Sequence, residues 1–265
     1  MDRLAAFAGA KNFVVFYGQG QEDQLSAFDV AIVEPAGHSE AGLKKMRLHG
    51  TLALAYLSVM EIAEWDPALK ILKTEDFLLS PEGQPLTNLK YENFLADLRS
   101  KRWIGLVMHR AARLIANQGY DGLFLDTIGD VEWTGDGGGI SDSLVVAAAD
   151  FVRQIRNMFP GSLLIQNQGL ESLCLLTSPY LNGICWENPP LENKALSQWV
   201  GNMIGRLGMF KVRYGLKVLM LKEMRENPDL LAGEFCRENG FLLYRAPPGY
   251  TSGINLPEGV QSFEY

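Results

Sequence analysis

Eight short runs of almost uninterrupted apolar residues punctuate the chain: NFVVFYG (12–18), DVAIVEP (29–35), TLALAYLSV (51–59), DGLFLDT (121–127), SLLIQNQ (162–168), NGICWEN (182–188), LKVLMLKE (216–223) and GFLLYRA (240–246). Each is nearly all apolar before a polar residue appears at its end. Uninterrupted apolar strands are what a parallel sheet covered on both faces requires. Helical periodicity fills the spaces between them. In SDSLVVAAADFVRQIRNM (141–158) the apolar positions 144, 145, 148, 151, 152 and 155 fall on one face behind a Ser141 or Asp142 cap. IGLVMHRAARLIANQ (104–118) repeats the pattern and stops at Gly119, and residues 192–214 form a third long helix. Eight strand–helix alternations predict a single (β/α)8 TIM barrel over residues 1–265. An open doubly wound sheet is the alternative, weakened because FYGQGQ after the first strand lacks the GxGxxG pattern. The tail APPGYTSGINLPEGVQSFEY is too rich in Pro and Gly for a long helix, so the last helix is replaced or shortened. Residues 2–10 are expected to close the ring, with Leu4 and Phe7 over the gap between first and last strands.

In this architecture chemistry gathers where the strands end. Those ends carry Tyr17, Glu34, Tyr56 and Ser58 followed by Glu61, then Asp126, Asn167 and Gln168, Glu187, Lys222 and Glu223, and Tyr244. Asp126 closes the apolar run GLFLD and Glu187 closes GICWE two strands later. Two carboxylates over one cleft are the minimum equipment of a glycoside hydrolase: one attacks or steadies the anomeric carbon, the other protonates the leaving oxygen. Trp186, Tyr17, Tyr56 and Tyr244 offer flat faces to sugar rings, and Asn167 and Gln168 offer amides to hydroxyls. Strand-end acids also cap loops or pair with arginine, so position alone leaves a structural role open for both.

Other chemistries fit less well. Lys222 invites comparison with Schiff-base aldolases, but Glu223 and Glu34 equally keep a lysine charged. A Mg²⁺ site from Glu34, Asp126 and Glu187 lacks any supporting His/carboxylate motif, and no cofactor motif is present. The glycine-rich segment 129–142 reads as a lid, with Trp133 and Asp136 near substrate, or as a surface loop. Cys174, Cys185 and Cys236 have neither disulfide nor zinc spacing and read as small buried hydrophobes. The net charge of −7 disfavours nucleic acid and anionic membranes and suits a neutral or cationic polysaccharide. No apolar stretch is long enough for a membrane span.

The segments FDVAIVEPAGHS (28–39), LALAYLSVMEI (52–62), GYDGLFLDTIGD (119–130), IQNQG (165–169) and GICWEN (183–188) together resemble glycoside hydrolase family 114, the endo-α-1,4-polygalactosaminidase group, which includes hydrolase domains associated with bacterial Pel exopolysaccharide. The resemblance implies a (β/α)8 barrel cleaving α-1,4-linked galactosamine or N-acetylgalactosamine polymers, with Asp126 as nucleophile and Glu187 as general acid/base. It also implies a secreted or periplasmic protein, whereas the N-terminus MDRLAAFAGAKNF has no export signal and fits a cytoplasmic or trimmed chain. Three departures from the family pattern stand out: Met60 replaces a glycine before Glu61, Gly129 takes the place of a second acid with Asp130 one residue later, and strand seven reads LMLKEM. These departures motivate a second reading, a barrel that binds such a polymer without cutting it. For the hydrolase, a dry setting against Trp186 is expected to raise the pKa of Glu187, while donors hold that of Asp126 down.

Overall fold

The computed structural model describes residues 2–88, 90–132, 141–191, 197–224 and 230–257. Each apolar run becomes a strand, trimmed by one or two residues at its ends: β1 (Phe13–Phe16), β2 (Val30–Val33), β3 (Leu52–Ser58), β4 (Gly122–Asp126), β5 (Leu163–Asn167), β6 (Gly183–Glu187), β7 (Lys217–Glu223) and β8 (Leu242–Ala246). They lie in chain order, every neighbouring pair from β1 to β8 parallel and hydrogen-bonded. β8 comes back against β1, so the sheet forms a nearly closed (β/α)8 barrel. Among the described residues that last seam has no ladder. Side chains fill it instead: Tyr244 meets Phe13 and Phe28 edge-on, each at 5.9 Å between ring centres. One backbone bond, Tyr17 N–H to the Tyr250 carbonyl at 2.7 Å, ties its upper end.

The connecting helices follow from the periodicity. α1 (Arg3–Gly9) precedes the barrel, and α2 (Glu22–Leu25), α3 (Glu40–Leu48), α4 (Lys101–Ala112), α5 (Asp142–Met158), α6 (Leu173–Thr177), α7 (Gln198–Tyr214) and α8 (Leu230–Asn239) follow β1 to β7 in turn. On α5 the buried residues are the six apolar positions of the predicted face. α4 begins three residues earlier than the pattern predicts, because Ser100 Oγ accepts from Trp103 N–H and caps it. A wider turn over Arg113–Asn117 extends it until Gly119, whose φ of +78° ends the helix. α7 starts at Gln198 behind a Ser197 cap; residues 192–196 of the predicted helix lie outside the described residues. After β8 a single turn, Pro248–Tyr250, stands where the eighth helix would be.

Two features differ from expectation. α1 does not cover the seam. Arg3 reaches Asp121 at the foot of β4, and the Phe7 ring lies beside Gly183 at the foot of β6, so α1 caps the N-terminal end of the barrel and leaves Leu4 45% exposed. Between β3 and α4 the chain makes an excursion containing three short antiparallel strands, Glu61–Ile62, Thr87–Asn88 and Asn93–Leu95. Strands of two or three residues carry too little periodicity to be read from sequence.

Candidate active site

β4 and β6 share one burial pattern, four buried residues and then a partly exposed acid. The pattern delivers Asp126 and Glu187 from dry strands into the C-terminal mouth. Asn167, at the end of the intervening β5, joins them. Its Nδ2 donates to Asp126 Oδ1 at 2.6 Å and to Glu187 Oε2 at 2.9 Å. One nitrogen bonded to both oxygens holds them no more than about 5.5 Å apart, the two bond lengths end to end.

Each acid also has a tyrosine of its own. The Tyr56 hydroxyl bonds Asp126, and Tyr250 Oη donates to Glu187 Oε1 at 2.6 Å. Tyr17 stands between the two phenols, edge-on to Tyr56 at 4.8 Å and to Tyr250 at 5.6 Å. Burial, and then the nearby carboxylates, push all three hydroxyls far above the usual phenol range, so they remain O–H donors. Asp126 itself is pushed up to about 6, first by burial and then by the charge of Glu187, against the opposing bonds from Asn167 and Tyr56. The donors expected to hold Asp126 down are present, but burial and the neighbouring carboxylate outweigh them.

The backbone at these strand ends is unusual. The residue after each key side chain is non-glycine with positive φ: Thr127 (+59°) after Asp126, Gln168 (+57°) after Asn167 and Asn188 (+47°) after Glu187. Such conformations cost about 1–3 kcal/mol each and persist only when their surroundings over-determine them. Here they do. Thr127 Oγ1 accepts from the N–H groups of Val59, Met60 and Glu61 at 3.1, 2.8 and 3.2 Å. Gln168 Nε2 donates to the Glu187 carbonyl, and Asn188 Oδ1 accepts from Glu223 N–H. The left-handed turns redirect the chain immediately beyond each candidate side chain.

The remaining predicted residues divide. Glu61 is buried and accepts from Asn88 Nδ2 at 2.5 Å and Asn93 Nδ2 at 2.7 Å, which ties the three strands of the side sheet together. It also bonds Asp130, whose carboxyl is raised well above the usual range by burial and then by Glu61. Ser58 Oγ donates to the Glu61 carbonyl within the same turn. Glu34 Oε1 accepts from Ala36 N–H and caps its own loop. Among the described residues no three His, Cys, Asp or Glu side chains are grouped as metal ligands. Lys222 Nζ donates to the Pro189 carbonyl. Two aromatic expectations are corrected. Trp186, 1% exposed, points away from the mouth and packs against Trp199 of α7 and Phe235 of α8, because successive strand residues face opposite ways. It neither stacks on sugar nor dries Glu187. Tyr244 seals the β8–β1 seam, with its hydroxyl against Asn255 N–H. Trp133 and Asp136 lie outside the described residues. Cys174, Cys185 and Cys236 are free and buried.

Two of the three family departures have local causes. Met60 has no left-handed backbone to support and is a fully buried side chain. At Gly129 a Cβ would stand 2.6 Å from Gln168 Cβ and 2.7 Å from Gly169 N, so no acid fits there, and Asp130 carries the carboxyl instead.

The model of glycoside-hydrolase family GH114 matches residues 4–178. This chain belongs to family GH114. Like its family, this GH114 chain is a glycoside hydrolase. Among solved structures it is similar to the glycoside hydrolase domain of PelA from Pseudomonas aeruginosa, at 21% identity and a TM-score of 0.73 over 91% of this chain and 96% of that one. It is also similar to Aspergillus fumigatus Ega3 in complex with galactosamine, at 11% identity and a TM-score of 0.69 over 94% and 96%. A third is the α-N-acetylgalactosaminidase NagBb of Bifidobacterium bifidum in complex with GalNAc, at 10% identity and a TM-score of 0.62 over 97% and 50%. At these identities the likenesses establish the fold of the GH114 chain. No curated protein matches it in sequence.

Proposed function

We propose that this protein cleaves α-1,4-linked galactosamine or N-acetylgalactosamine polymers internally and with retention of configuration, using Asp126 as nucleophile and Glu187 as general acid/base. The carrying observation is the shared Asn167 nitrogen, which keeps the two carboxylates within about 5.5 Å. Retaining enzymes need roughly 5–5.5 Å, whereas inverting enzymes leave about 6.5–9.5 Å for an intervening water. Family membership and the galactosamine complex of Ega3 support the substrate class.

In the first step Glu187 gives a proton to the glycosidic oxygen as the bond to the anomeric carbon breaks, and Asp126 closes on that carbon to form a glycosyl ester. In the second, Glu187 takes a proton from water, which attacks the same carbon and returns Asp126 as a carboxylate. Asn167 donates to both acids throughout, and Tyr56 steadies the charge on Asp126. Asp126 must be ionised to attack. With its pKa pushed up to about 6, the rate should rise as pH increases through about 6.

The test is digestion of purified α-1,4-galactosamine polymer, with reducing ends counted and the anomer of new ends followed by NMR. Internal cuts with α-configured products are expected. First-formed β anomers would sink the retaining assignment. Tight binding without any new reducing end would favour the non-cutting reading.

A further inference from the structure

We propose that Tyr250, delivered by the turn after β8, is the positioning residue that selects which oxygen of Glu187 carries the transferable proton; this rests on the assignment of Glu187 as acid/base. The turn is built for delivery. Tyr250 adopts φ +59°, a left-handed conformation uncommon for a bulky residue. Three contacts hold it there: Tyr17 N–H bonds the Tyr250 carbonyl at 2.7 Å, Gly249 N–H bonds Glu223 Oε1 at 2.8 Å, and the Tyr17 ring meets the Tyr250 ring edge-on. The phenol reaches Glu187 Oε1 at 2.6 Å, while Asn188 Nδ2 approaches the phenol oxygen at 3.3 Å.

The chemistry follows from what each partner of Glu187 is able to do. Oε2 faces the Asn167 amide nitrogen, which only donates and is also engaged with Asp126. A proton on Oε2 would oppose that N–H. Oε1 faces a hydroxyl, which turns about its C–O bond and donates or accepts. The protonated acid therefore carries its hydrogen on Oε1, with the Tyr250 hydroxyl turned aside. When the proton has left for the glycosidic oxygen, Tyr250 turns back and donates to the new carboxylate. Among the described residues, the titratable groups acting on this pair are Asp126 across Asn167, Asp130, Lys90, Tyr17 just after β1, Cys185 on β6 and Glu223 on β7.

The experiment compares wild type with Tyr250→Phe, which keeps the ring contact with Tyr17 and removes only the hydroxyl. kcat is expected to fall ~10–100-fold with KM within about threefold. The alkaline limb of kcat/KM is expected to move up by roughly 0.5–1 pH unit, because a donor to the ionised form is lost. The melting temperature should be unchanged. In parallel, the ¹³C carboxyl resonance of Glu187, assigned through Glu187→Gln and followed without substrate, should titrate at higher pH in Tyr250→Phe. An unmoved resonance overturns the proposal whether or not the protein cuts the polymer. A pH profile superimposable on wild type at full kcat also overturns it. A wild-type protein that releases no reducing ends defeats the hydrolase reading separately, and the resonance then decides the role of Tyr250.

Discussion

Strand β4 is bracketed by two aspartates that live differently. Asp121, at its foot, is 4% exposed and fully engaged: Arg3 Nε at 2.7 Å on one oxygen and Ala53 N–H at 3.0 Å on the other. Asp126, at its head, takes its hydrogen bonds from neutral groups. It relies on an amide and a phenol, and it faces another carboxylate across that amide. Four residues of one strand thus separate an acid neutralised for stability from an acid left under electrostatic tension. The same division runs through the barrel: α1 and its ion pair close the bottom, and left-handed turns hold two facing acids at the top.

The contrast is broken most severely at the top. Asp126→Asn should lower kcat/KM by ~10⁴-fold or more while the far-ultraviolet dichroism stays native; activity within tenfold of wild type would remove Asp126 from the chemistry. Asp121→Asn should do the reverse. It leaves Arg3 and Ala53 N–H with a weaker partner, and denaturant melts should show a loss of roughly 1–3 kcal/mol, discounted because Arg3 is half exposed, with kcat/KM within about threefold.

A finer comparison uses pH. A carboxyl raised from 3.8 to about 6 in the folded state binds its proton more tightly when folded, so its favourable contribution is complete at low pH and is lost as pH rises through about 6. Stability of wild type relative to Asp126→Asn should therefore decline between about pH 4 and 7, by at most about 3 kcal/mol. A gap that stays constant with pH would show that Asp126 is not under tension. The smallest effect on catalysis belongs to Trp186→Phe. It should cost about 1–2 kcal/mol of stability and change kcat/KM less than about threefold, since the indole packs between α7 and α8; a large rise in KM would return Trp186 to the mouth.

The barrel and the clustered acids at its strand ends were readable because one physical signal marks both. A run that is apolar until its last residue is a strand covered on two faces, and that last residue is where it meets water. Asp126 and Glu187 emerge by that rule, and Asn167 ends the strand between them. Trp186 was misplaced although the information was present: adjacent strand residues face opposite sides, so Trp186 and Glu187 cannot both line the mouth. Tyr250 was missed because a Pro/Gly-rich tail has no period to read, yet it follows a strand end on the face where barrel loops carry function. The placement of Glu61 depended on Asn88 and Asn93, some thirty residues away on strands too short to register.

The open seam between β8 and β1 gives the molecule a built-in zip line. Seven of the eight strand junctions are stitched by repeated amide pairs, but this one is buttoned by the rings of Phe13, Phe28 and Tyr244 and by the Tyr17–Tyr250 clasp. Amide deuteration should therefore begin along β1 and β8. Because the clasp holds the very residue that touches Glu187, unbuttoning the wall and disarming the acid are the same event.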